Sequence, residues 1–178
     1  PILEIHDSDE DVWVLGQSCA MLRFLAHRYR RFGSNEKERA RIDAILEHVR
    51  DIQLKWFRAK RRPARDSNLI SYLSCVAGGQ EHMVSDKLQF LKNDLSKLLI
   101  ALENALPPNN PLPWIIGLEP SLADVAIYHL LATPELTTEP QLTASFFDGD
   151  RDYVRTALAR APRLRACVHA FAMLPSIR

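Results

Sequence analysis

Gln17 and Ser18 follow an apolar run, Val12-Trp13-Val14-Leu15, that breaks at Gly16. A helical pattern starts directly after them, with Ala20, Met21, Phe24 and Leu25 on one stripe. A helix start is electropositive, and its first N–H groups have no acceptor within the helix. A serine hydroxyl and a glutamine amide at that place can therefore hold an anionic group such as a carboxylate. They also suit a plain helix cap, with Ser18 taking one backbone N–H. These residues alone leave both readings open. Cys19 falls in the first helical turn, where a thiol pKa can drop. A small thiol on an amphipathic helix is nevertheless expected to pack inside.

Asp43, Glu47 and Asp51 recur every four residues, which places them along one edge of a helix. Such a row can attract a cation or an ammonium group, or it can be a solvated face. Arg50 beside it opposes a metal ion. Ser121-Leu122-Ala123-Asp124 has the spacing of a capping box, in which Ser121 and Asp124 satisfy two N–H groups of a helix start. That pair is a folding signal, not a site. The basic stretch Lys55, Arg58, Lys60, Arg61, Arg62 and Arg65 can face RNA or an acidic protein, or it can be a solvated helix end. The six histidines show no paired-ligand spacing, so no metal site is expected.

These groups need elements to position them. Ile2-Leu3-Glu4-Ile5 and Val12-Trp13-Val14-Leu15 read as two strands joined by the acidic loop 6–11. Helices are expected over 19–31, 36–61, 68–76, 81–106, 120–131, 151–160 and 163–174. The longest of the early ones carries Ile42, Ile45, Val49, Ile52 and Trp56 at helical spacing. Gly78-Gly79 closes the third helix, a proline-rich linker spans 107–113, and 133–139 is irregular. The chain reads as mainly α: a β-hairpin plus helix, then an all-helical body.

At 178 residues, 47% hydrophobic and 25% charged, the chain can bury its own core without a disulfide or metal. Its 23 basic and 22 acidic residues leave a formal charge of +1, which supplies no field for nucleic acid or anionic membrane. No apolar run reaches spanning length, and the opening Pro1-Ile2-Leu3 lacks the order of a secretory signal. Cys19, Cys75 and Cys167 form no paired motif, which points to a reducing, cytoplasmic setting. Neither a nucleic-acid nor a membrane partner is expected.

Taken in order, these motifs resemble the cytosolic glutathione transferase superfamily, nearest its sigma class, which includes glutathione-dependent prostaglandin D synthases. Pro1-Ile2-Leu3-Glu4-Ile5 is similar to the family's third thioredoxin-domain strand. Gln17-Ser18-x-Ala20-Met21-x-Arg23-Phe24-Leu25 is similar to its Gln-Ser segment. Asp43-Ala44-Ile45-Leu46 sits where sigma members carry a similar run. Trp114-Ile115-Ile116-Gly117 followed by Ser121-Leu122-Ala123-Asp124 looks like the family's capping box and hydrophobic staple.

The resemblance implies a partial thioredoxin-like domain over 1–32 and an all-helical C-terminal domain over 33–178. It implies that Gln17 and Ser18 hold the γ-glutamyl end of glutathione and that Pro1 faces the glutathione backbone. Asp51 would reach across a homodimer to the amino group of the partner's glutathione. Ile52, Trp56 and Phe57 would line a hydrophobic substrate site. Glutathione would be the cosubstrate, a small hydrophobic electrophile its acceptor, and detoxification the setting. The family's thiol-activating tyrosine, serine or cysteine belongs to the first half of the thioredoxin-like domain, which this sequence is expected to lack. Tyr29, Tyr72, Tyr128 and Tyr153 all fall in expected helices, so no catalytic residue is assigned. Two readings follow. One is part of a transferase that conjugates the glutathione thiolate to hydrophobic electrophiles. The other is a transferase-like scaffold of the kind found in the gamma subunit of translation elongation factor 1.

Overall fold

The computed structural model describes residues 1–6, 12–61, 87–109, 113–132, 146–147 and 151–174. The hairpin loop, the expected helix 68–76 with its Gly78-Gly79 stop, and the irregular stretch 133–139 lie outside them.

Strand β1 (Ile2–His6) pairs antiparallel with β2 (Val12–Gly16), with Ile2 opposite Gly16 and His6 opposite Val12. A lone hairpin is marginal in water. This one leans on the following helix α1 (Ser18–Arg28), where Trp13 meets Phe24 edge-on with ring centroids 5.3 Å apart. Helix α1 ends before the expected residue 31. Arg30 turns to a φ of 57°, and the Arg31 and Arg30 N–H groups bond back to the Ala26 and His27 carbonyls. This is a Schellman stop with arginine at the position that glycine usually takes. Tyr29 is therefore the cap of the helix, not a residue inside it.

Helix α2 (Glu36–Arg61) has the expected bounds. The Asn35 side-chain carbonyl accepts the Glu38 N–H at 3.0 Å, and the Glu38 carboxylate accepts the Ser34 N–H and hydroxyl at 2.8 Å each. Those bonds hold the Glu38 carboxyl below its usual pKa. The stripe Ile42, Ile45, Val49, Ile52 and Trp56 is buried throughout.

The expected single helix 81–106 is interrupted. Helical residues from 87 lead into a π-helical turn at Phe90–Asp94, and helix α3 (Leu95–Ala105) continues from it. Helices α4 (Leu122–Leu131), α5 (Arg151–Leu158) and α6 (Pro162–Ala172) complete the body. Helix α4 packs between α2 and α6, while α3 packs on α2 and α5. Trp56, Phe90 and Phe147 meet in the core at centroid distances of 5.4–6.2 Å.

Asp124 is fully buried and gathers the surrounding chain. It accepts the Ile115 N–H at 2.8 Å, the Ser121 N–H at 2.8 Å and the Ser121 hydroxyl at 2.7 Å. The Cys167 thiol of α6 donates to it at 3.2 Å. Burial first, then the Asp124 charge, push that thiol far above its usual pKa, so Cys167 is inert. The Leu122 N–H donates to the Arg31 carbonyl at 2.9 Å and ties α4 to the end of the hairpin–helix unit. Glu103 of α3 caps α6 from a distance, accepting the Arg163 and Leu164 N–H groups at 2.9 and 3.0 Å.

Candidate functional site

The β2–α1 junction is built on one strained residue. Gln17 sits at φ 69° and ψ 113°, and its carbonyl accepts the Met21 N–H at 3.0 Å to open α1. A residue with a Cβ rarely adopts this conformation, which costs about 1–3 kcal/mol. Gly16, one position earlier, could have taken the turn without strain. The chain instead places a side chain bearing an amide at the corner.

Ser18 is not the cap that its position suggests. It is the first residue of α1, Gln17 occupies the cap position, and no side chain bonds to the helix start. The Ser18, Cys19 and Ala20 N–H groups thus have no acceptor inside the helix. Gln17, Ser18 and Cys19 are all exposed. Cys19 is consequently a surface thiol, contrary to the packing role expected for it. The register that pairs Ile2 with Gly16 brings exposed Pro1 to the same end of the hairpin as Gln17. Pro1, Gln17 and Ser18 therefore share one corner, open to solvent and electropositive through the helix dipole.

The acidic row of α2 is divided. Arg23 of α1 donates through Nε to Asp43 at 2.7 Å and through Nη2 to Glu47 at 2.8 Å. The bond to Asp43, then that to Glu47, hold the guanidinium more firmly protonated. Asp43 and Glu47 are thus neither a cation site nor a free solvated face. Their work is to fasten α1 to α2. Asp51, one turn further on, is exposed. Nothing in the spacing of Arg23 revealed this link, because it depends on how the two helices cross.

Ile52 and Trp56 lie in the bundle core, 2% and 1% exposed. Phe57 is exposed, and its ring meets Phe146 at 5.6 Å. Of the three residues, Phe57 alone offers surface to a ligand. A separate cleft of about 340 Å³ lies between α1, α2 and α4, with Leu22, Leu46, Val125 and Ala126 on its apolar lining and Arg50 and His129 among its polar groups. Cys19 borders this cleft, next to the Gln17–Ser18 corner. Sequence periodicity missed the cleft, because each helix contributes only a few residues to it.

Among the described residues, no cluster of three or more His, Cys, Asp or Glu is placed to hold a metal ion. No described helix is long and apolar enough to cross a membrane.

No family model and no curated protein matches the sequence. Solved structures do match the fold. The Pi-class glutathione S-transferase of Onchocerca volvulus superposes over 98% of this chain and 66% of its own length, with a TM-score of 0.64 at 23% identity. The sigma class glutathione transferase of Fasciola hepatica superposes over 100% of this chain and 73% of its own, with a TM-score of 0.56 at 16% identity. The chain thus spans just under two thirds of the first of these proteins. The hairpin followed by helices is a portion of the glutathione S-transferase fold.

Proposed function

We propose that the chain belongs to a glutathione transferase-like protein and that its Gln17–Ser18 corner binds the γ-glutamyl end of glutathione. The strained Gln17 backbone carries this reading: a costly conformation is retained where it aims a side chain beside an uncapped helix start. The glutamyl carboxylate would accept the Ser18 hydroxyl and the first N–H groups of α1. The Gln17 amide would bond the remaining polar atoms, and Pro1 would line the glutathione backbone. The partial domain 1–32 then supplies the binding corner and 33–178 the helical wall. Phe57, with its aromatic neighbour Phe146, is the exposed part of the hydrophobic substrate region, and Ile52 and Trp56 support it from within. The whole protein would join the glutathione thiolate to a hydrophobic electrophile in the cytoplasm, in a detoxifying role.

Calorimetric titration of the full-length protein with glutathione tests the corner. Ser18→Ala is expected to weaken binding by about 1–3 kcal/mol, the cost of a lost hydrogen bond to a charged group. Gln17→Gly is expected to weaken binding too, yet to raise the melting temperature, because glycine relieves the backbone strain. Unchanged affinity in both variants would remove the corner from the site.

Asp51 is exposed and bound to no neighbour seen among the described residues, which suits a role toward a second subunit. The protein is expected to sediment as a homodimer. Asp51→Asn should weaken glutathione binding while leaving the dimer mass unchanged. A monomer at concentrations well above micromolar would exclude the role in trans. The scaffold reading instead predicts specific capture of translation proteins or RNA, so a pull-down separates the two.

A further inference from the structure

A second cavity, of about 540 Å³, lies at the opposite end of α1 from Gln17, between the α1–α2 turn and the loop that enters α4. Its volume is within the range of small-molecule sites, about 300–1,000 Å³. Arg30, Arg31, Arg39 and His27 all line it. Arg31 pairs there with Glu119, and one oxygen of the ionised Glu38 carboxylate accepts the Ser34 N–H and hydroxyl. Arg30 and Arg39 have no carboxylate bonded to them among the described residues, so both guanidinium groups keep donors free, and three arginines against Glu38 and Glu119 leave the lining one positive charge in excess. Ile116 and Pro120 supply apolar wall, and the His27 ring lies on Phe32 with centroids 4.3 Å apart. Arg30 also occupies the left-handed helix stop where glycine would be unstrained.

We propose that this cavity binds a phosphorylated small molecule, with Arg30 and Arg39 holding the phosphate and the apolar wall holding its organic body. Two guanidinium groups can each donate to a different oxygen pair of a phosphate, whereas a carboxylate offers a single bidentate face. Nothing in this site depends on glutathione binding at the other end of the helix.

Phenyl phosphate and benzoate are the probes, titrated by calorimetry at constant ionic strength. Phenyl phosphate is expected to saturate and to bind about tenfold or more tightly than benzoate, because a second charge-assisted contact is made. Arg30→Gly and Arg39→Gln should each weaken phenyl phosphate by about tenfold or more, the equivalent of one charged hydrogen bond. Arg30→Gly suits the backbone it replaces, so its melting temperature should not fall. Arg165→Gln, an exposed change on α6, removes a charge elsewhere and should leave binding as it was. Equal binding of benzoate, unchanged affinity in both cavity variants, or an equal loss in Arg165→Gln would each overturn the proposal. So would failure to saturate below about 10 mM, weaker than the usual range for specific ligands.

Discussion

Asp124→Ala is expected to destabilise the protein by on the order of 3–5 kcal/mol. The carboxylate is 0% exposed and accepts four donors, two on each oxygen. Removing it strands the Ile115 and Ser121 N–H groups in the interior, where water cannot replace the lost acceptor. Asp124→Asn should recover only part of the loss. Asparagine has a single acceptor oxygen, and its NH2 would face a donor on the other side. Urea denaturation followed by far-ultraviolet circular dichroism reads both variants. An Asp124→Asn protein as stable as the parent would show that the second oxygen contributes nothing. The measurement must use stability as its readout, since Asp124 lies far inside and touches no proposed ligand.

Trp56→Ala is expected to cost about 3–5 kcal/mol, the usual range for deleting a large aromatic side chain from a core. The indole is packed by Phe90 and Phe147, and the Lys87 ammonium lies 5.6 Å from its ring centroid. Trp56→Phe keeps part of that packing and should lose clearly less. Denaturation midpoints distinguish this role from the one implied by family resemblance. A residue lining an open substrate pocket would tolerate alanine with near-parent stability and would change substrate affinity instead. Phe57→Ala provides the contrast: its ring is 42% exposed, so its stability change should be small.

The parts of the fold that were legible in the sequence are those fixed by local chemistry. The bounds of α2 followed from its apolar spacing, and the Ser121–Asp124 box marked the start of α4. The hairpin followed from two β-branched runs around an acidic turn. What escaped depended on tertiary placement or on backbone angles. Arg23 reaches Asp43 and Glu47 only because α1 crosses α2 at that level. The positive φ of Gln17 and of Arg30 has no compositional signal, since neither is glycine. Cys19 looked like an inward residue because its neighbours are apolar, yet it faces outward from the first turn. Trp56 shows the reverse. Its place on the buried stripe was visible, and the resemblance drew it toward an open site that the core does not provide.

The π-helical turn at Phe90–Asp94 changes the arithmetic of its helix. In an unbroken α-helix each residue advances by about 100°, so positions five apart diverge by roughly 140°. A turn closed by i to i+5 bonds absorbs one extra residue and brings such positions nearly into line. Phe90 and Leu95 can then both enter the core while Asp94 stays at the surface. Among the described residues the helix carries two hydrophobic phases, one at Phe90 and Leu91 and one from Leu95 onward. The first meets α5 and the Trp56 cluster, and the second meets α2, α5 and α6. A single-residue deletion within the turn is thus the one change of length that could leave both packing registers intact.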